Sequence, residues 1–150
     1  MGNFTSYSIL VRQKLIICNY QGRINIKDVI QLTDKFIHDP DFDVTFDVLI
    51  DFRNSSAIGF RMDITDYMNF FKKSVPLKGT VKVGILYSTP NQEYLLKIYR
   101  GFSKLLNLDI EIFKPVELCM EWMGFEGTDK EEVLQALASI KSTSADLFSA

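Results

Sequence analysis

The chain has 150 residues, with 17 lysines and arginines against 19 aspartates and glutamates, so its formal net charge is −2. A surface that neutralises nucleic-acid phosphates needs an excess of positive charge, and this composition therefore argues against a nucleic-acid partner. Hydrophobic residues make up 47% of the chain and charged residues 24%, which is typical of a globular protein and excludes a disordered one. The length is that of one ordinary domain.

The cysteines and the apolar segments bear on the cellular compartment. Cys18 and Cys119 each lie among apolar neighbours and lack C-x-x-C spacing, which predicts buried, reduced thiols and no zinc site. Neither a signal-peptide pattern nor a membrane-spanning apolar stretch occurs in the sequence. We therefore expect a soluble, cytoplasmic protein that does not bind membranes.

The first predicted elements are a hairpin and a helix. Extended segments at 8–12 and 14–20 are too close in sequence for a helical crossover, so they are expected to pair antiparallel. Apolar residues at helical spacing over 26–37 predict an amphipathic helix with Asn25 as its N-cap. The Asp-Pro pair at 39–40 is expected to end this helix.

Two strands at 44–52 and 81–88 alternate apolar with mostly polar residues. Strands that are covered by helices on both faces are usually almost continuously apolar, so the alternation predicts helices mainly on one face of the sheet. On the opposite, solvated face we expect Asp51 together with exposed side chains of Leu49 and Leu86.

The rest of the chain continues the alternation of helix and strand. Thr89 and Gln92 form a capping-box pattern, which predicts a helix whose buried stripe includes Ile98 and Phe102. The further predicted elements are a helix from Asp63 to Phe71, a strand at 109–113 and helices at 116–123 and about 128–141. This order predicts an α/β fold with a mixed, mostly parallel five-stranded sheet and an N-terminal antiparallel hairpin.

Three segments carry more specific motifs. They are a strand that ends in Asp-Phe-Arg at 48–53, a strand that runs into a Thr-Pro helix start at 84–90, and a Trp-Met pair after a Phe-x-x-x-Glu segment at 113–123. Together they resemble the SpoIIAA-like group of STAS-type domains over about residues 8–124. The resemblance implies a right-handed β-α superhelix that forms one domain over residues 1–150, with the helix at about 128–141 as an addition.

The resemblance also implies a regulatory site. In the anti-sigma-factor antagonists of this fold, a serine in a D-S-S-G-like stretch after the third strand is phosphorylated, and the phosphate switches off partner binding. The corresponding stretch here is DFRNSSAIG at 51–59, in which Asn and Ala replace the Asp and Gly of the motif. By position Ser55 is the candidate phosphoacceptor and Ser56 the second. The expected partner-binding loop consists of Asp51, Arg53 and Asn54. The alternative is an unmodified polar loop.

The sequence contains few of the patterns that are typical of enzymes. His38 is the single histidine, so neither a Ser-His-Asp relay nor a site with several histidine ligands can be built. The glycine-rich phosphate-binding patterns and the G-x-S-x-G nucleophile pattern do not occur. We expect a non-catalytic protein without a metal or another cofactor.

Two functions remain open. The leading expectation is a bacterial regulatory domain that binds another protein. A homodimer is also considered, because the segment around Trp122 is rich in interface-type side chains. The alternative is a domain that binds a small apolar, lipid-like ligand between the sheet and the helices. The expected lining of that pocket is Phe52, Phe60, Tyr67 and Phe71.

Overall fold

A computed structural model describes the backbone of residues 4–57 and 60–149, and the side chains within 4–56 and 65–140. It contains five strands, five α-helices and one 3-10 turn in the described ranges. In chain order these are β1 (Phe4–Leu10), β2 (Leu15–Ile24), α1 (Ile26–Ile37), β3 (Asp47–Ala57), α2 (Phe60–Ser74), β4 (Val81–Leu86), α3 (Pro90–Ser103), the 3-10 turn (Lys104–Leu106), β5 (Leu108–Phe113), α4 (Val116–Met123) and α5 (Gly127–Ser149).

The five strands form one sheet in the order β1-β2-β3-β4-β5. β1 pairs antiparallel with β2 in a hairpin, with Leu10 opposite Leu15. The other neighbouring strands pair in parallel, and each connection between them contains a helix. The predicted mixed, mostly parallel five-stranded sheet with its N-terminal hairpin is therefore confirmed.

Local sequence signals fix the starts of two helices. The Asn25 side chain accepts a hydrogen bond from the Asp28 amide at 3.0 Å, and the Asp28 carboxylate accepts one from the Asn25 amide at 2.9 Å. Thr89 and Gln92 form the same reciprocal box at the start of α3. Each box satisfies amide groups that the first helical turn leaves without partners, and both predicted caps are confirmed.

The sheet has an apolar core on each side. Helices α1, α2 and α3 pack on one face of the sheet, which we call the α1–α3 face. The strand residues that point toward them include Ile16, Cys18, Tyr20, Val83, Ile85 and Ile110. On the opposite α4–α5 face, the core consists of Leu15, Ile17, Leu49, Leu86, Cys119, Met120, Met123, Val133 and Leu137. Three helices thus lie on one face and two on the other.

The prediction of a solvated second face is wrong. Leu49 and Leu86 are fully buried beneath α4 and α5, and Asp51 is 1% exposed. The polar residues that suggested solvation are accommodated within this layer. The Asp51 carboxylate pairs with Arg53, and the Lys82 ammonium lies 5.2 Å from the ring centroid of Trp122. An alternating pattern is compatible with a covered face when its polar groups find such partners.

The close contact between β4 and α4 depends on Gly84. A Cβ atom at this position would lie 2.8 Å from Cys119 Sγ and 3.2 Å from Met123 Sδ. A glycine therefore lets the helix approach the strand more closely than any other residue would.

Several boundaries differ from the prediction, among them the start of β1 at Phe4 and the end of β2 at Ile24. β3 continues to Ala57 because its pairing with β2 runs from Leu15 opposite Asp47 to Ile24 opposite Ala57. The expected loop around Arg53 is consequently part of a strand. α2 begins at Phe60, and α5 continues to Ser149, past the predicted end at about 141, since no Gly or Pro interrupts it. None of the helices within the described ranges is long and apolar enough to cross a membrane.

Candidate functional site

A cavity of about 50 Å³ lies between the α1–α3 face of the sheet and helices α1 and α2. It is lined by Ile16, Cys18, Tyr20, Val29, Thr33, Phe36, Phe42, Val44, Phe46, Val48, Ile50, Tyr67, Phe71, Val75, Leu77, Val81, Val83, Tyr99 and Leu108. A smaller cavity of about 30 Å³ adjoins it and shares Tyr20, Val29, Ile50 and Tyr99. Both are predominantly apolar.

The cavity interrupts the packing over the central strand. Val48 and Ile50 point toward the α1–α3 face, and β3 is flanked by β2 and β4 at both positions. Both side chains are only partly buried, whereas Leu49 between them has no exposed surface. Because a central strand beneath a helical layer is normally covered, this exposure marks a gap between the helices and the sheet.

Hydroxyl and thiol groups supply the side-chain polarity of the cavity wall. They belong to Cys18, Tyr20, Thr33, Tyr67 and Tyr99, and the lining residues in the described part of the chain include no charged side chain. The Thr33 hydroxyl donates a hydrogen bond to the Val29 carbonyl at 2.8 Å, so it is already engaged within α1. The three tyrosine hydroxyls are the remaining strong hydrogen-bonding groups.

Burial keeps these groups protonated. It raises the pKa of the Cys18 thiol and of Tyr67 to about 12, although the hydrogen bond between Tyr67 and Tyr99 acts in the opposite direction on Tyr67. Burial also raises the pKa values of Tyr20 and Tyr99 well above the ordinary tyrosine value. These lining side chains are therefore neutral over the physiological pH range.

The predicted pocket residues fall in three places. Tyr67 and Phe71 line the main cavity, and Phe52 lines the smaller one. Phe60 is the first residue of α2, and its side chain lies outside the described residues.

Sequence reasoning missed Tyr20 and Tyr99. The signal for Tyr20 was its alternation with Cys18 on β2. For Tyr99 the predicted buried stripe of α3 was displaced, because Leu96, Tyr99 and Ser103 are buried while Phe102 is 45% exposed. The buried side of α3 also contains two polar residues, Gln92 and Ser103, so the apolar spacing alone did not identify it.

Ser55 and Ser56, the predicted phosphoacceptors, lie in the C-terminal part of β3, beyond its pairing with β4. Ser55 is buried, and its hydroxyl donates to the Phe52 carbonyl at 2.8 Å. Ser56 is exposed. The Gln92 side-chain amide donates to the Ser55 carbonyl at 2.6 Å, and the Ser88 hydroxyl donates to the Arg53 carbonyl at 2.8 Å. These bonds connect the strand to the start of α3.

Two other residues of the expected partner-binding loop, Asp51 and Arg53, pair with each other. Arg53 Nε lies 3.0 Å from Asp51 Oδ1 and Arg53 Nη2 lies 3.0 Å from Asp51 Oδ2, which forms a bidentate pair. The pair raises the pKa of Arg53. Asn54 is exposed. A phosphate on Ser55 would have to compete with Asp51 for the Arg53 guanidinium.

The described residues contain no group of three His, Cys, Asp or Glu side chains that could hold a metal ion. His38 is the C-cap residue of α1 and is exposed, with Nδ1 2.7 Å from the Asp34 carbonyl oxygen. This position fits an imidazole at the negative end of the helix dipole.

Comparison with known proteins bears on the fold. No family model matches the chain, and no curated protein matches it. A solved structure of an uncharacterised protein from the DUF3478 family of Shewanella loihica PV-4, described as having a SpoIIAA-like fold, is similar, with a TM-score of 0.57 and 15% sequence identity. The similarity covers 82% of this chain and 96% of that one. The resemblance found in the sequence is therefore confirmed at the level of architecture: the chain has a SpoIIAA-like fold.

Proposed function

We propose that this chain is a non-catalytic binding domain and that the cavity on the α1–α3 face takes a small apolar ligand. The observation that carries the proposal is the partial exposure of Val48 and Ile50 in a strand that has neighbours on both sides and helices above it. A ligand in the cavity would cover these two side chains.

The chemistry of the wall supports this function. Apolar cavities in proteins stay dry and bind apolar molecules, because a buried water needs several polar partners. A ligand that fills the gap gains the dispersion contacts that the lining residues lack, and it removes its own apolar surface from water at about 25 cal/mol per Å².

The partly exposed lining residues outside the sheet indicate an entrance. Phe42, Val44 and Leu77 are partly exposed, and they belong to the segments that lead into β3 and β4. We therefore place the entrance at this end of the sheet. Tyr20 and Tyr99 line both cavities and would lie at the inner end of the site.

The test is a titration with dissolved xenon, an atom small enough for a cavity of about 50 Å³, followed by nuclear magnetic resonance. The methyl signals of Val48 and Ile50 are expected to shift in a saturable way, while those of Leu49 and Leu86 on the α4–α5 face remain nearly unchanged. Val48→Phe, which places a ring in the cavity, should weaken binding at least tenfold. The matched control is Val11→Phe at a position that is 53% exposed. No saturable shift at Val48 and Ile50, or equal affinity in both variants, would contradict the proposal.

The second candidate function is regulated binding of a protein partner at the C-terminal part of β3. Pairing between β3 and β4 ends at Asp51 opposite Leu86, while pairing with β2 continues to Ala57. The polar contacts from Ser88 and Gln92 are therefore important for holding this segment. A phosphate on Ser55 would replace the hydroxyl donor to Phe52 and detach the segment, whereas Ser56 is accessible without such a change.

Phosphopeptide mass spectrometry of the protein from its native host tests this second candidate. A phosphate on Ser55 or Ser56 that changes with growth conditions, together with a protein partner that is retained only by one form, is the expected result. An unmodified peptide under all growth conditions would contradict it.

A further inference from the structure

Helix α3 carries apolar side chains on its outward side as well as on the side that packs on the sheet. The outward residues, which we call the outer stripe, are Leu95, Ile98, Phe102 and Leu105. We propose that two copies of this chain associate through the outer stripe, with their α3 helices antiparallel. The inference is independent of the proposed ligand-binding function, because the described lining residues of the cavity include none of the outer stripe.

The outer stripe lacks cover in the single chain. Phe102 is 45% exposed and Leu105 is 70% exposed, while Leu95 and Ile98 are partly exposed. Among the described residues, neither of the two apolar cores includes any of these four. Tyr94, which is 55% exposed, borders the stripe. A continuous apolar surface of this kind indicates an interaction site.

The spacing of the outer stripe fits a second helix. Its residues follow one another at intervals of three, four and three positions, which is the pattern by which two helices pack side by side. The 3-10 turn continues the helical path to Leu105, because Lys104 keeps right-handed helical backbone angles. The intervals are the same in both chain directions. A second, antiparallel copy would therefore set Leu95 against Leu105, and the same pairing sets Ile98 against Phe102.

Gly101 is a separate observation that favours a close partner. It is exposed and lies inside α3, where glycine is less favourable than alanine. A Cβ atom at this position would have no neighbour within 4 Å, so the packing of the chain itself does not require a glycine. The two-fold axis of the antiparallel pair passes close to this residue, because it relates Leu95 to Leu105. A glycine there lets two helix backbones approach closely.

The charges of α3 are compatible with two copies meeting at the stripe. By helical periodicity, the charged side chains of α3 and of its last turn point away from the stripe; they are Glu93, Lys97, Arg100 and Lys104. Glu93 pairs with Lys97 at 2.9 Å, and Arg100 pairs with Glu111 at 3.2 Å. Like charges therefore do not face each other across the stripe, and a net charge of −2 per chain adds little repulsion.

The exposed area agrees with a reversible dimer. Aromatic side chains have about 200 Å² each, so Tyr94 and Phe102 expose about 100 Å² each. Leu105 adds a similar area, and Leu95 and Ile98 add less. A standard interface buries about 800 Å² on each partner, of which somewhat more than half is apolar. The stripe and Tyr94 provide most of that apolar part, without the excess that obligate dimers have.

Analytical ultracentrifugation of the full chain over a range of concentrations is the test. We expect a monomer–dimer equilibrium with a dissociation constant on the order of 10–100 μM. Leu105→Glu places a charge in the stripe and should raise this constant at least about 30-fold. The matched control is Leu118→Glu, at a leucine on α4 that is 52% exposed. It adds the same charge and should change the constant less than about twofold.

A variant of Gly101 separates the interface from the stability of the helix. Gly101→Gln introduces a good helix former into open space, so the melting temperature of the dilute, monomeric protein should rise. The same variant should raise the dissociation constant of the dimer at least about tenfold, because the added side chain keeps the two helices apart. A glycine with a purely local role would change the melting temperature alone.

Cysteine cross-linking tests the antiparallel arrangement. Native Cys18 and Cys119 are buried, so a short bismaleimide is expected to react mainly at introduced cysteines. A mixture of the Leu95→Cys and Leu105→Cys proteins should give the mixed dimer. Leu105→Cys alone should give little product.

Three results would overturn the inference. They are a chain that remains monomeric at every concentration, equal effects of Leu105→Glu and Leu118→Glu on the dimer, and cross-linking of Leu105→Cys only to itself. The first two remove the stripe as the contact, and the third removes the antiparallel pairing. None of them affects ligand binding in the cavity, which xenon titration tests separately.

Discussion

The two faces of the sheet are packed in different ways. On the α4–α5 face, Leu49, Leu86 and Met120 have no exposed surface, and Gly84 lets α4 approach β4 closely. On the α1–α3 face, large aromatic rings fill the layer between sheet and helices, and a cavity remains over Val48 and Ile50. The core of the α4–α5 face is thus close-packed, whereas the layer on the α1–α3 face leaves a gap that a ligand can fill.

Neighbouring residues of β3 provide the sharpest comparison. Leu49→Ala should reduce the free energy of unfolding by about 3–5 kcal/mol, because it creates a cavity in a fully packed core. Ile50→Ala should cost only about 1–2 kcal/mol, because the side chain is partly exposed beside an existing cavity. Urea unfolding measures both values. Equal losses would contradict the difference between the faces.

Close packing at Gly84 predicts the next largest effect. Gly84→Ala should destabilise the protein by about 1–3 kcal/mol, since the new methyl group would overlap Cys119 Sγ. Gly79→Ala is the control, because a Cβ atom there has no neighbour within 4 Å, and it should change stability by less than about 0.5 kcal/mol.

A double variant tests the assigned contact. Removal of the sulfur in Cys119→Ala makes room for the methyl group, so Gly84→Ala should cost less in that background than in the wild type. Thermal unfolding of the four proteins gives the coupling energy. Strict additivity would show that another contact limits position 84.

Enlarging valine to isoleucine should change the stability in opposite directions on the two faces. Val48→Ile extends into the cavity and should stabilise the protein by about 0.5 kcal/mol. Val133→Ile adds a methyl group at a position with no exposed surface and should destabilise it by about 1 kcal/mol. Denaturant midpoints measure both, and stabilisation by Val133→Ile would refute the assignment of close packing to the α4–α5 face.

Ion pairs on the surface are expected to contribute least to the stability of the fold. Arg12 between β1 and β2 pairs with Asp129 and Glu132 on α5, but its side chain is 65% exposed. Arg12→Ala should therefore cost less than about 1 kcal/mol, and the loss should shrink at high salt. A larger, salt-independent loss would mean that these ion pairs, and not the apolar core, hold α5 on the sheet.

The features of the fold that the sequence predicted are those with local signals in the chain. The hairpin and the caps at Asn25 and Thr89 depend on residues close together in the chain, and the parallel pairing was expected from the alternation of strands and helices along it. The covered second face could not be predicted in this way. It depends on Leu49 and Leu86 meeting α4 and α5, which follow much later in the sequence, and on the pairing of Asp51 with Arg53.

The candidate site was predicted only in part for a similar reason. Tyr67 and Phe71 belong to the apolar stripe of one helix and were identified from its spacing. Val48 and Ile50 belong to an ordinary strand pattern, and their exposure arises only from the gap that the helices leave above them. A cavity is a property of packing between distant segments, and no local pattern encodes it.

Crystals of the protein under xenon pressure would test the central claim most directly, since xenon enters dry apolar cavities without needing any polar contact. The account predicts xenon density beside Val48 and Ile50 on the α1–α3 face and none in the core around Leu49, Leu86 and Met120. Xenon that is absent from the first position, or bound only at the second, would contradict the account.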